Sequence, residues 1–338
     1  MAENVHVVSR YIPWYSDEYR ISSRAADRSR KSCYEMTPFE IQDELLKSII
    51  DQDEACKKVA MMVYQHLHGH RFVGMLAGPT GSGKSFIADK LSDMFPGLIY
   101  IRDISNVTCD GWSGGKKVSS LFEGTVPFDE ESNRPAPIMF LDECDKMFAP
   151  KTSSARENVS EQVQGEFLTV IHGGSFRVKD EGSDGRYRVV NTGEMSFLFA
   201  GAFEKKADLI AAQDGGPVMG FGSKLVRSKS YSRELTMEDI HEAGCINELC
   251  GRIQRLVNLN PISEDTYVRI LEDHDKGPVH DLEKEFGLRL EVTHERAKEI
   301  AHKAYSSGLG IRGIRNTLRA KIDDLMWEDL SARSLQIA

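Results

Sequence analysis

Eight consecutive residues have the types and spacing that bind phosphate groups: Gly78-Pro79-Thr80-Gly81-Ser82-Gly83-Lys84-Ser85. They fit the pattern G-x-x-x-x-G-K-[ST] at every fixed position, after a short apolar run and before a helical pattern. The glycines let backbone N–H groups turn inward around phosphate oxygens, and the helix N-terminus adds its positive dipole end. Lys84 can reach the outer phosphates of a nucleoside triphosphate, and the Ser85 hydroxyl can ligate Mg²⁺. A chance glycine-rich turn is the alternative, and the flanking patterns argue against it.

A second candidate group is acidic and lies further along the chain. Four apolar residues, 138–141, are followed by Asp142 and Glu143. Asp142 would hold Mg²⁺ directly or through water, and Glu143 would polarise the attacking water. Alone, this pattern is often only a strand end, but together with a phosphate-binding loop it indicates ATP binding and hydrolysis. A protein that kept ATP as a fixed ligand would not need Glu143.

Short apolar runs alternating with helical patterns must position these groups. Residues 72–77, 98–101, 138–141, 197–199 and 256–259 are predicted to be buried strands, and residues 53–66 have the apolar spacing of a helix. Strands separated by helices indicate an α/β fold with a parallel sheet and helices on both faces. The polar, glycine-rich stretch 173–190 has the composition of a β-hairpin insert.

The chain is predicted to divide into three parts. Residues 1–38 are polar and mixed and form an N-terminal extension, docked or flexible. Residues 39–259 form the larger α/β domain. After Pro261 the pattern becomes mainly helical, which predicts a smaller C-terminal domain over residues 260–338.

Composition and charge exclude several classes of protein. The formal net charge of −9 argues against bulk binding to nucleic acid or anionic membranes, because phosphate recognition needs a concentrated positive surface. No stretch approaches the length of a membrane span, and the N-terminus does not resemble a signal peptide. No pair of the six cysteines has C-x-x-C spacing. We therefore expect a protein of the cytoplasm with reduced thiols.

The chain resembles the ClpX-type protein unfoldases, in the ClpX and HslU branch of the AAA+ ATPases, over roughly residues 45–328. The resemblance rests on Ile50-Asp51-Gln52, Val63-Tyr64-Gln65-His66, Gly78 to Ser85, Leu141 to Lys146, Gly201-Ala202-Phe203, Gly220-Phe221-Gly222, Gly251-Arg252 and Gly310 to Arg315. It implies a P-loop NTPase large domain, a small helical lid domain, and a hexameric ring with ATP between the subunits.

The resemblance also implies roles for residues outside the two motifs. Arg252 matches the arginine finger that reaches into the neighbouring subunit's site. Arg312 matches the sensor-2 arginine, which contacts the nucleotide and couples domain rotation to hydrolysis. Ile49 and Ile50 would pack around the adenine. The alternative for each arginine is an ordinary surface charge.

Two further segments match loops of this family. Gly111-Trp112-Ser113-Gly114 falls where the family has its aromatic pore loop, which grips an unfolded or tagged protein substrate. Met219-Gly220-Phe221 falls where the family has the loop that docks on a ClpP-type peptidase. An ordinary packed Trp and a buried apolar turn are the respective alternatives.

The sequence also departs from the family. We expect no counterpart of the family's N-terminal zinc-binding domain in this sequence, and the Arg-Lys-His loop is not found in residues 173–191. No clear polar sensor-1 residue stands at Phe199 or Ala200, which leaves Thr192 and Ser196 as candidates. The leading hypothesis is an ATP-driven protein unfoldase or remodelling motor. The alternatives are an AAA+ loader or assembly switch acting on nucleic acid or a protein complex, and a non-hydrolysing regulatory subunit.

Overall fold

The computed structural model divides into two compact units, Met1–Met36 and Thr37–Ala338. The residues that the structure describes are 33–109, 115–126, 134–151, 158–179, 186–213, 233–275, 277–307, 310–329 and 333–337. Of the first unit this includes only a short 3-10 helix, Cys33–Glu35, and the residue after it. The fold described below belongs to the second unit.

A five-stranded sheet is the centre of the second unit. Its strands are β1 (Val73–Ala77), β2 (Ile99–Asp103), β5 (Ile138–Asp142), β8 (Ser196–Gly201) and β9 (Arg255–Asn258). They pair in the order β2-β5-β8-β1-β9, and every pair is parallel. The carboxyl ends of β1, β5 and β8 therefore lie side by side at one edge of the sheet, where parallel α/β sheets bind ligands.

Three small strand pairs lie outside this sheet. The strands are β3 (Val107–Thr108), β4 (Lys116–Lys117), β6 (Ser175–Lys179), β7 (Tyr187–Asn191), β10 (Arg289–Val292) and β11 (Ser334–Ile337). β6 and β7 form an antiparallel hairpin, as the glycine-rich composition of this stretch predicted. β3 pairs with β4, and β10 pairs with β11, each in parallel.

Twelve α-helices are present in the described residues. They are α1 (Pro38–Leu46), α2 (Asp53–Leu67), α3 (Lys84–Met94), α4 (Cys144–Phe148), α5 (Val159–His172), α6 (Glu204–Gln213), α7 (Met237–Glu242), α8 (Asn247–Cys250), α9 (Glu264–Glu272), α10 (Gly277–Phe286), α11 (His294–Ser307) and α12 (Gly310–Glu328). Thr37 and Glu40 form a capping box at the start of α1, which satisfies backbone donors that the helix itself leaves unpaired. α9 to α12 make up most of a helical C-terminal region.

Two of the hydrophobic clusters among the described residues lie in different parts of the chain. The buried members of the first come from residues 73–253 and include Phe167, Phe197 and Phe199. Those of the second come from residues 262–337. Ile50, far away in the sequence, packs against this second cluster, so the segment before α2 contacts the helical C-terminal region.

The fold class predicted from the sequence is confirmed: a parallel sheet with helices is followed by a mainly helical C-terminal region. The proposed boundaries after residues 38 and 259 stay predictions. Among the described residues, no helix combines the length and apolar character needed to cross a membrane. The predicted pore loop, residues 111–114, and docking loop, residues 219–221, lie outside the described residues.

Two glycines offer opposite tests of this packing. Gly244 has φ +110°, and a β-carbon placed there would lie 2.3 Å from the Phe148 carbonyl oxygen. Gly165 lies inside α5 with no atom within 4 Å of such a β-carbon. Gly244→Ala should lower the free energy of unfolding by about 2–4 kcal/mol through backbone strain and overpacking. Gly165→Ala should raise it by about 0.5–1 kcal/mol, since alanine is the better helix former.

Urea unfolding of the two variants beside the wild type measures both effects. Equal midpoints for the two variants would contradict the close contact between Gly244 and Phe148.

Candidate nucleotide-binding site

A cavity of about 330 Å³ lies at the carboxyl ends of β1, β5 and β8. The residues that line it are Ser48, Ile49, Ile50, Thr80 to Phe86, Asp89, Asp142, Glu143, Asp145, Lys146, Gly201, Ala202, Ile262, Ile270, Gly277, Pro278, Asp281, Ile311, Arg312 and Arg315. Its volume is in the range of cavities that bind small molecules. The first part of the chain supplies the polar end, and the helical C-terminal region supplies much of the apolar end.

The phosphate-binding loop connects β1 to α3. Gly81 and Gly83 have φ angles of +83° and +99°, a region that residues with a β-carbon rarely adopt. Lys84 follows as the first residue of α3 and is only 8 % exposed. Its Nζ donates hydrogen bonds to the carbonyl oxygens of Gly78 (2.6 Å) and Pro79 (2.9 Å). The loop is thus wrapped around a buried ammonium group, next to the N-terminus of a helix.

Burial destabilises the charged form of Lys84 relative to its neutral form. Desolvation lowers the pKa of Lys84 to about 8, and the nearby Asp142 and Asp145 carboxylates partly oppose that shift. The ammonium form therefore still predominates at neutral pH. An anionic ligand beside Lys84 would raise its pKa, because a neighbouring negative charge favours the protonated form. The site is suited to bind phosphate oxygens.

The Ser85 hydroxyl and the Asp142 carboxylate are in direct contact. Ser85 Oγ donates to Asp142 Oδ2 at 2.7 Å, so the sequence-predicted metal ligands are brought together. Among the described residues, no group of three or more His, Cys, Asp or Glu side chains is placed to hold a metal ion. A cation here would take its remaining ligands from phosphate oxygens and water, as Mg²⁺ commonly does.

Glu143 has an unusual backbone conformation. It lies at φ +60°, in the left-handed region, between the end of β5 and the start of α4. Non-glycine residues in this region are strained and cluster at functional sites. Its carboxylate accepts a hydrogen bond from Lys146 Nζ at 2.7 Å, and this bond is the main cause of a raised pKa for Lys146. Glu143 is thus aimed into the cavity but paired with a neighbouring cation.

The end of β8 is held against the acidic segment. The N–H of Ala202 donates to Asp145 Oδ1 at 3.1 Å. A β-carbon on Gly201 would lie 2.9 Å from Cys144 Sγ and 3.0 Å from the same Asp145 oxygen, so a glycine is needed there. Neither sensor-1 candidate lines the cavity: Ser196 is the first residue of β8, at the end away from the cavity, and Thr192 lies in the turn between β7 and β8. Thr192 donates to the Val170 carbonyl, and Ser196 is bonded to His66 and to the Phe72 N–H.

The apolar end of the cavity is formed by isoleucines from both parts of the chain. Ile49 and Ile50, predicted to contact the adenine, line the cavity together with Ile262, Ile270 and Ile311. The sequence reading did not identify Ile262 and Ile270, because their spacing marks them only as core positions of the C-terminal region. An aromatic base fits such a surface through the hydrophobic effect.

Arg312 lines the same cavity from the first turn of α12. Its position depends on Gly310, which has φ +59°. A β-carbon on Gly310 would lie 3.0 Å from the Cα of Gly81, so the start of α12 lies directly against the phosphate-binding loop. The structure therefore brings Arg312 together with the motif residues, as the resemblance implied.

Several charged side chains in the cavity were not predicted. Asp89, Asp145, Asp281, Lys146 and Arg315 all line it. The pKa of Asp89 is raised, first by burial and then by the Asp93 and Asp142 charges. Asp145 and Lys146 belong to the run that continues after Glu143, and Arg315 ends the run Gly310 to Arg315, so these three lie in segments that carry the family resemblance.

Arg252 is placed differently. It follows α8 at the protein surface, is exposed, and is not among the described residues that line the cavity. The structure therefore does not bring Arg252 together with the motif residues. The pore and docking loops lie outside the described residues, so this geometry leaves both as predictions.

A scan against family models places these features in a known family. Residues 71–256, more than half of the 338-residue chain, match the model described as AAA domain (Cdc48 subfamily). The matched segment runs from the start of β1 into β9 and includes the phosphate-binding loop, Asp142 and Glu143. Clp ATPases such as ClpX, ClpA and HslU have this domain. The chain therefore belongs to the AAA ATPases of the Clp type, enzymes that bind ATP and drive protein remodelling.

Proposed function

We propose that this chain is the subunit of a hexameric ring that unfolds protein substrates by hydrolysing ATP. The observation that carries the proposal is the cavity itself. It combines a buried lysine, a hydroxyl–carboxylate pair and a strained glutamate with an arginine from the helical C-terminal region. A nucleotide bound there would touch both parts of the chain, which is what a motor needs if hydrolysis is to move one part against the other.

The chain's own residues supply the chemistry of phosphoryl transfer to water. Lys84 exchanges its bonds to the Gly78 and Pro79 carbonyls for phosphate oxygens. Glu143 orients the attacking water and accepts its proton, once its carboxylate leaves Lys146. Arg312 places a positive charge near the transferred phosphate.

Ser85 and Asp142 fit a role as Mg²⁺ ligands. A hydroxyl and a carboxylate oxygen 2.7 Å apart are hard oxygen donors on one side of the cavity. When bound, Mg²⁺ would neutralise charge on the phosphates. The Ser85–Asp142 hydrogen bond holds the two donors together without it.

The ring is supported by the place of Arg252. AAA ATPases typically form oligomeric rings. An exposed arginine outside its own cavity can complete the cavity of the next subunit in a head-to-tail ring. Such a finger can contribute about 10³–10⁵ in rate in other NTPases.

Handling of the substrate is assigned to Gly111-Trp112-Ser113-Gly114. The support is the position of this aromatic residue between glycines, in the part of the sequence where related unfoldases have their pore loop. An aromatic ring can grip an extended polypeptide without reading its sequence, because burial of apolar surface is non-directional.

A ClpP-type peptidase is proposed as a partner. The support is Met219-Gly220-Phe221, an aliphatic-Gly-Phe run in the part of the sequence where related unfoldases have their docking loop. The chain would then feed unfolded substrate to the peptidase.

Mixing two inactive variants tests the shared site. Glu143→Gln should bind ATP without turnover, and Arg252→Ala should lose most of its ATPase rate. In an equal mixture, about a quarter of the interfaces combine an intact cavity with an intact finger. The steady-state ATPase rate should therefore recover to about a quarter of the wild-type rate. Each variant mixed with itself is the control. No recovery, although mixed rings form, would contradict a finger supplied by the neighbour.

Trp112→Ala tests the pore loop. We expect the ATPase rate to change less than about twofold while unfolding of a tagged fluorescent protein is lost, because Trp112 would touch only the substrate. Trp327→Ala, which removes a 92 % exposed tryptophan from α12, is the matched control and should unfold normally. Normal unfolding by the Trp112 variant would assign this residue a structural role.

Phe221→Ala tests the docking loop. Degradation of a tagged substrate with a ClpP-type peptidase should fall by about tenfold or more, while unfolding without the peptidase is retained, since an aromatic anchor dominates such a contact. Phe39→Ala removes an exposed phenylalanine from α1 and should leave degradation intact. Wild-type protein that neither binds nor stimulates the peptidase would refute the partnership.

A further inference from the structure

Asp51 has a conformation that its position in the chain does not require. It has φ +59°, which is uncommon for a non-glycine residue, and it lies between α1 and α2. Asp tolerates the left-handed region better than most residues do, but only surrounding contacts keep it there. Asp51 contacts α9 and the chain after β9, and its neighbour Gln52 contacts the phosphate-binding loop.

The neighbouring Gln52 fixes this segment from one side. Gln52 is 1 % exposed, and its side-chain amide pairs with both backbone groups of Asn260. Nε2 donates to the Asn260 carbonyl at 2.8 Å, and Oε1 accepts from the Asn260 N–H at 2.9 Å. Nε2 also donates to the Ser82 carbonyl at 3.3 Å. One buried side chain thus joins the phosphate-binding loop to the segment that leads into the helical C-terminal region.

Asp51 continues this connection with its carboxylate. Asp51 Oδ2 accepts hydrogen bonds from Thr266 Oγ1 at 2.5 Å and from the Arg269 guanidinium at 2.6 Å. Thr266 lies in the first turn of α9, where a negative charge also interacts favourably with the helix dipole. The Asp51 carbonyl accepts from the Asn260 side chain at 3.1 Å.

Helix α9, which Asp51 contacts, also lines the cavity and packs against the start of α12. Ile270 of α9 lines the cavity. A β-carbon placed on Gly310 would lie 3.2 Å from the Tyr267 hydroxyl oxygen, so Tyr267 packs where α12 begins. Arg312 is two residues further on. A shift of α9 would therefore be transmitted to the arginine above the phosphate-binding loop.

We propose that Asp51 is a positioning residue for ATP hydrolysis, which through Thr266 and Arg269 holds α9, and with it Arg312, over the bound nucleotide. This inference rests on the proposed function and adds a named connection between the cavity and the helical C-terminal region. Asp51 itself does not line the cavity, whereas its neighbour Ile50 does.

A purely structural role is the competing explanation, and the exposure of the pair distinguishes the two. The side chains of Asp51 and Arg269 are 38 % and 59 % exposed. Ion pairs this exposed contribute little to stability. Loss of the pair should therefore leave unfolding almost unchanged while it alters the reaction, because a small misplacement of a charged group slows catalysis strongly.

The test uses Asp51→Gly, which removes the carboxylate but accepts the positive φ, together with Arg269→Ala and the double variant. In each, kcat for ATP should fall about tenfold, while the Kd of a fluorescent ATP analogue changes less than about threefold. The urea midpoint should stay unchanged. The double variant should be no worse than either single variant, as for partners in one interaction. Asp51→Asn should recover part of the rate, because its amide oxygen can still accept from Thr266.

Arg296→Ala is the matched control, since it breaks an exposed ion pair with Glu299 that lies entirely within α11. It should leave kcat unchanged. Wild-type rates in the Asp51 and Arg269 variants, additive losses in the double variant, or an equal loss in the control would overturn the proposal.

Hydrogen exchange gives a readout that does not need turnover. The backbone amides of residues 310–315 should exchange faster in Asp51→Gly than in the wild type, and equal exchange would overturn the proposal. A wild type without ATPase activity would refute the proposed function. Hydrogen exchange would still show whether Asp51 holds α9 and the start of α12 in place.

Discussion

Contact between two glycine backbones, at Gly81 and Gly310, determines how this ATPase combines its two parts into one site. Both residues have positive φ, and a β-carbon on either would lie within 3.2 Å of the other's Cα. Larger residues would move α12 away from the phosphate-binding loop, and Arg312 with it. The cavity is therefore bounded on one side by the parallel sheet and on the other by helices that have their own hydrophobic cluster. The hydrogen bonds between Gln52 and Asn260 also join the two sides.

The polar groups of the site bond to one another. Lys84 donates to loop carbonyls, Ser85 donates to Asp142, and Glu143 pairs with Lys146. Buried polar groups need hydrogen-bond partners, and these bonds hold the three side chains in place at the cavity. A nucleotide bound here would replace these bonds with its own, so the net free energy of binding would be the difference between the two sets. In the proposed mechanism, Glu143 must separate from Lys146 before its carboxylate can act on water.

The sequence predicts the motif-bearing part of this site well, because the motifs are local. A strand, a glycine turn and a helix start at fixed spacing around Lys84, and the end of β5 fixes Asp142 and Glu143. The apolar end was not predictable in the same way. Ile262 and Ile270 have the pattern of core residues, and their place beside Ile49 depends on how the second cluster is oriented. The short strand β11 was also missed, since its pairing with β10 joins segments far apart in the chain. Thr192 and Ser196 do not line the cavity, because one precedes β8 and the other begins it, away from the strand's carboxyl end.

The exposed position of Arg252 is the reason why the proposed function needs a second subunit. Lys84, Glu143 and Arg312 converge on one cavity, whereas Arg252 is exposed elsewhere on the surface. In a ring, each arginine would sense whether the neighbouring cavity is occupied, and the helical C-terminal region would report the state of its own. A subunit would then respond to two nucleotides, one in its own cavity and one next door. A ligand shifts a conformational equilibrium only by the difference in its affinity for the two conformations. The coupling in such a ring would therefore depend on how the contacts between the sheet and the helices differ between the two conformations.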